Sequence, residues 1–204
     1  MSDTPPDYEA SQKVAMANYR KFARNFPHKL AKLEDGAAKR ARNRRTPLFV
    51  RLEELYKSMD EVFAFVKAYT PCQKGCDSCC HYAVAVPGIE AAYMERKLGI
   101  RCDPMPMPNV KTHGLPCPFL ADGSCSIYQH RPYVCRKHVA LQPESFWCHP
   151  DRSNRQGSIM LRFTRFDEAM ASLCVEFGTT ESRDIRYVFP LGLRADCSTG
   201  ITGP

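Results

Sequence analysis

Cys72-Gln-Lys-Gly-Cys76-Asp-Ser-Cys79-Cys80 places four thiols in nine residues, and what those thiols do decides the fold around them. Cys76-x-x-Cys79 has the spacing by which a tight turn aims two sulfurs at one metal ion, and Gly75 eases that turn. Cys72, four residues before Cys76, falls on the same side of a helical turn. The adjacent pair Cys79-Cys80 is different. Neighbouring side chains are expected to diverge, so Cys80 faces a second metal centre or stands as a free thiol beside the first. Downstream lies a second group: Cys117, Cys125 and Cys135, with Cys148 thirteen residues further on. Gly123 suits a hairpin-like bend between Cys117 and Cys125. Arg131-Pro132 reads as the opening of a short helix with Cys135 in its first turn, where the helix N-terminus favours the thiolate.

The chain of 204 residues holds 11 cysteines, an odd number that rules out complete internal pairing. Met1-Ser-Asp-Thr-Pro-Pro-Asp has neither a basic nor an apolar signal region, so a cytoplasmic, reducing compartment is expected, with cysteines serving as ligands or redox thiols. No apolar run approaches the ~20 residues that span a bilayer. Unliganded vicinal thiols oxidise, which argues that the clustered eight bind metal. Cys102, Cys174 and Cys197 stand apart and are expected to be small buried hydrophobes. His81, His138 and His149 flank cysteines and are candidates for a mixed shell, although histidines in such positions are more often solvated or hydrogen-bonded.

Charge divides the chain. Residues 1–45 carry 11 Lys/Arg against 5 Asp/Glu, which accounts for +6 of the net +7. The chain is therefore expected to divide into a basic helical or partly disordered extension (1–45), a cysteine-cluster domain with its leading helix (46–178) and a C-terminal tail (179–204), and the extension is expected to be dispensable for the metal site. A polyanion such as RNA is a candidate partner for residues 13–45, although basic helical runs are commonly solvated faces with few stacking aromatics. The spacing of Leu48, Leu52, Leu55, Tyr56, Met59, Val62, Phe63 and Val66 predicts a helix over 47–69, capped by Thr46 and stopped at Thr70-Pro71. Tyr82–Val86 and Ser158–Phe163 are expected strands. Residues 87–98, ending at Gly99, and 165–177 are expected helices. The fold class is α-rich: a small irregular α+β metal-binding domain with short strands and an N-terminal helical extension.

Cys72-x3-Cys76-x2-Cys79-Cys80, then Cys117-Pro-Phe-Leu, Gly-x-Cys125-x-Ile-Tyr and Arg131-Pro-x-x-Cys135-Arg136 together resemble the YkgJ-type cysteine-cluster family. The resemblance covers roughly residues 70–150 and implies zinc or iron chelation by the motif cysteines. Members are often labelled Fe–S oxidoreductases, and the flagellin lysine N-methylase belongs to the same broad group. The expected ligand set is Cys72, Cys76, Cys79, Cys80, Cys117, Cys125 and Cys135, the motif cysteines, together with Cys148, which clusters with them in the sequence. Spacing does not choose between zinc and an iron–sulfur cluster, since both accept four thiolates and the ferredoxin run is absent. The family label and the vicinal pair lean toward the cluster and a redox-related role acting on a protein or small-molecule substrate. The alternatives are a structural zinc module that binds protein or RNA, and a lysine methyltransferase. The last lacks a Gly-rich loop for S-adenosylmethionine.

Overall fold

The computed structural model describes residues 5–102, 112–179, 181–190 and 192–194. Helix α1 (Tyr8–Asn25) starts at Asp7, whose carboxylate accepts from the Glu9 and Ala10 amides, and ends before Pro27. Gly36 divides the basic run that follows into α2 (His28–Asp35) and α3 (Ala37–Ala41). Helix α4 (Leu48–Val66) runs on through a short 3₁₀ turn to Tyr69, which matches the expected 47–69 span. Its cap is Pro47, one residue later than expected, and the Thr46 carbonyl before it accepts from the Arg51 guanidinium at 2.8 Å.

The core is built on α4, whose Leu52, Leu55, Tyr56, Met59, Val62 and Val66 are all buried. Against it pack α5 (Gly88–Leu98), which stops at Gly99, and α8 (Thr164–Phe177) through Phe166, Ala169, Met170 and Leu173. Between those two in the chain lie α6 (Tyr133–Lys137) and α7 (Pro150–Gln156). The extension joins the same core. Ala37, Ala38 and Ala41 let α3 approach α8 closely, and Phe22 of α1 contacts Phe26, Phe65, Tyr69 and Phe163. Arg51, buried at the junction, donates to the Ala41 carbonyl at 2.6 Å and to both Glu176 oxygens.

Strand β1 (Ala85–Pro87) pairs antiparallel with β4 (Ser182–Asp184), Val86 opposite Arg183, and α9 (Ile185–Val188) follows directly with Ile185 and Val188 buried. Strands β2 (Leu120–Ala121) and β3 (Ser124–Cys125) form a second two-stranded sheet. Their two-residue loop has Asp122 at φ 48° and Gly123 at φ 69°, the doubly left-handed turn that matches strand twist in tight hairpins. Over 158–163 the expected strand reduces to one bridge, Met160 opposite Ala140. No helix among the described residues is long and apolar enough to cross a membrane. Residues 195–204 of the expected C-terminal tail lie outside the described residues, as does most of the proline-rich stretch within 100–116.

Candidate metal centre

Each cysteine is placed by short local devices. The Gln73 carbonyl accepts from the Cys76 amide at 3.1 Å, closing a turn in which Gly75 has φ 94°, a backbone state a side chain would strain. A 3₁₀ turn over Ser78–His81 then presents Cys79 and Cys80. The Cys117 amide donates to the Cys80 carbonyl at 2.9 Å and the Gly114 amide to His81 at 2.8 Å, so the second cysteine group is fastened to the first by backbone. The β2–β3 hairpin returns Cys125 opposite Leu120, and α6, capped at Pro132, carries Cys135.

Seven of the eight expected ligands, Cys72, Cys76, Cys79, Cys80, Cys117, Cys125 and Cys135, line one cavity of about 580 Å³. Cys148 is buried outside that lining, within electrostatic reach of Cys72 and Cys76. Cys79 and Cys80 do not diverge as expected: their thiols hydrogen-bond to each other. Among the described residues, no three His, Cys, Asp or Glu side chains stand close enough together to hold a metal ion as they are placed. The thiols are gathered around the cavity without being closed into a shell.

Burial governs their ionisation. It pushes the Cys117 and Cys148 thiols up to about 12, raises Cys72 and Cys125, and drives Cys135 well above the ordinary thiol range. Cys79 is raised chiefly by its hydrogen bond to Cys80, and that same bond lowers Cys80, with Arg186 adding its charge. Metal-free, most of the cluster therefore holds its protons, and a metal must displace them to bind. Soft sulfur donors in this number suit zinc, iron or iron–sulfur binding.

Among the histidines, His138 lines the cavity, and burial lowers its pKa. The His81 ring lies 4.9 Å from that of His149, and the His149 Nδ1 accepts from the Asp151 amide, so neither joins the lining. Of the bystander cysteines, Cys102 and Cys174 are half-buried away from the cavity, and Cys197 lies outside the described residues.

Two residues escaped the sequence reading. Arg186 donates to the carbonyls of Cys80 (3.3 Å), Tyr82 (3.2 Å), Pro116 (3.1 Å) and Leu115, and its Nη1 pairs with Asp184 at 3.1 Å. It clamps both cysteine loops, yet lies about a hundred residues from the first, and no local signal marks it. Glu90, fully buried on α5, accepts from Tyr56 Oη and from the Tyr133 amide (2.5 Å) at the start of α6. A carboxylate on an otherwise apolar helix face was the available clue. Arg136, which closes the last piece of the cysteine motif, is buried and donates to Asp60 (2.6 Å), to the Arg131 carbonyl (3.0 Å) and to that of Gln129.

No curated protein and no solved structure matches this chain. A family model does match, over residues 71–157, that of CxxCxxCC, described as "Putative zinc- or iron-chelating domain". The matched span runs from just before Cys72 to just past Cys148, and so takes in every thiol gathered around the cavity together with the buried Cys148 beside it. Residues 71–157 of this chain thus form a cysteine-cluster domain of the CxxCxxCC family.

Proposed function

We propose that the domain carries an iron–sulfur cluster with a redox-related role, held by thiolates drawn from Cys72, Cys76, Cys79, Cys80, Cys117, Cys125, Cys135 and Cys148. The observation that carries this reading is the convergence of seven of these thiols on a single cavity. When bound, such a cluster supplies single-electron exchange. The chain's own part is to shelter the thiolates and to bring positive charge to them. Lys74 and Arg131 lie within electrostatic reach of Cys125, and Arg186 of Cys80 and Cys117.

A structural zinc site is the second reading, favoured by the backbone ties between the two cysteine groups, which metal cross-links would reinforce. The exposed Lys13, Arg20, Lys21 and Arg24 on α1 are what supports polyanion contact. Methyl transfer has less behind it, since both sheets among the described residues are two-stranded and antiparallel.

Purification without oxygen, followed by metal and sulfide analysis and a visible spectrum, tests the choice. A brown protein containing iron and sulfide is expected, whereas a colourless zinc protein establishes the second reading. Cys76→Ser and Cys135→Ser should each lose metal and stability. If both leave metal content and melting temperature unchanged, thiolate ligation at this site is wrong.

A further inference from the structure

Tyr8, Ser11, Ala15, Asn18 and Phe22 form a stripe at helical spacing along α1, and that stripe rests on two different parts of the molecule. Phe22 holds the C-terminal half to the aromatic core. The N-terminal half holds residues 141–157, the segment that carries Cys148. Asn18 Nδ2 donates to the Leu141 carbonyl at 3.0 Å, the buried Ser11 Oγ to the Glu144 carboxylate, and Gln12 Nε2 to the Gly157 carbonyl at 3.4 Å. The Tyr8 ring meets Trp147 edge-on at 5.3 Å. On its other side the segment packs on the first cysteine group. The 3₁₀ turn Phe146–Cys148 lies against Ser78–His81, the His149 ring against that of His81, and the Ser153 and Tyr82 hydroxyls hydrogen-bond.

The two flanks differ in kind. The Ser78–His81 side is anchored by main chain, since the Cys80 and His81 carbonyls accept from the Cys117 and Gly114 amides. On the α1 side, the three hydrogen bonds to the segment all start from side chains. Within the segment, Gln142 is fully buried, yet its amide has no hydrogen-bond partner among the described residues, so it does not help to fix the loop. Cys148 is itself buried and lies outside the lining of the thiol cavity, so a reagent entering that cavity does not meet it. Its sulfur becomes reachable when the segment opens, and a buried thiol reacts in proportion to such local opening. We propose that α1 is a strap over this segment, and that Ser11 and Asn18 set how readily Cys148 opens to an incoming soft reagent, whether a metal ion or an electrophile. Opening is a property of the metal-free chain, so the strap and the metal-binding reading can fail separately.

The test uses the full chain, reduced and metal-free under argon, pulsed with iodoacetamide and read at each cysteine by mass spectrometry. Ser11→Ala and Asn18→Ala should each speed alkylation of Cys148 about fivefold, the factor carried by one net hydrogen bond, and the double variant on the order of 20-fold. Cys135 on α6 and Cys174 on α8 should keep their wild-type rates. An unchanged Cys148 rate overturns the strap. So does an equal acceleration of Cys135, Cys148 and Cys174, which would mean that the variants loosen the whole fold. Because a variant can misfold, amide hydrogen exchange is also followed in the wild type. Residues 8–18 and 144–149 should exchange together and ahead of α4. If 144–149 exchange while 8–18 stay protected, the segment opens without α1 and the proposal is wrong.

Discussion

Glu90 shows how single residues outside the cluster set its geometry. Its Oε1 fixes both Tyr56 and the first amide of α6, and the Arg136 guanidinium stacks 4.3 Å from the Tyr56 ring. Cys135 sits between these anchors, at Tyr133 and Arg136, so its place in the backbone is held by residues outside the thiol cluster. Burial pushes the Glu90 carboxyl up to about 7, even though Tyr56, Tyr133 and Arg136 all favour its charged form. The unfolded chain ionises this group near pH 4.3. The folded state therefore gains from the neutral acid below that pH, and the gain is lost as pH rises from there to about 7. Glu90→Gln keeps the acceptor and removes the ionisation. It should flatten stability between pH 5 and pH 7 and raise it at pH 7 by up to ~3 kcal/mol. Urea unfolding at the two pH values checks this, and a slope equal to that of the wild type refutes it.

At the level of elements, the basic extension does something its composition does not suggest. Most of its charged residues are exposed, but Ala15, Phe22, Ala37, Ala38 and Ala41 are core residues. The Arg51 network joins the end of α3, the start of α4 and Glu176 of α8. Removing residues 1–45 would uncover the faces of α4 and α8 that these side chains cover. Phe22, the buried phenylalanine lost this way, is worth about 1.5–3 kcal/mol of transfer free energy. A chain beginning at Thr46 should therefore melt at least several degrees lower, even if its cysteine domain still takes up metal. Thermal unfolding followed by circular dichroism decides between this and the separable extension expected from composition. An unchanged melting temperature would mean that the extension contributes nothing to the core.

For the whole molecule, the thiols couple metal, pH and stability. In the metal-free chain, thiols raised by burial favour the folded state below the unfolded thiol pKa of about 8.5, and that contribution is lost as pH climbs above it. Metal-free protein should lose stability steadily from pH 8 to pH 10. Loaded protein should resist this, because its ligands are already deprotonated. Conversely, lowering pH toward 5 should weaken metal binding, since protons compete for the same sulfurs. Melting curves with and without chelator across this range measure both effects. Coincident curves would show that metal binding and folding are not linked.

Much of this was legible because it is local. The turn at Gly75, the Asp122-Gly123 hairpin, the period of α4 and the span of α5 from Pro87 to Gly99 each follow from a few neighbouring residues. So does the clustering of thiols, which pointed to metal before any contact was known. The tertiary structure alone decided the rest: Arg186 joining two cysteine loops, β4 pairing with β1 across a hundred residues, Cys148 set beside Cys72 and Cys76, the contact between the Cys79 and Cys80 thiols, and the burial of the extension's alanines. A turn or a helix face is fixed by energies within one stretch of chain. Which distant stretch it meets depends on how all the apolar faces are buried together, and no short window of sequence contains that information.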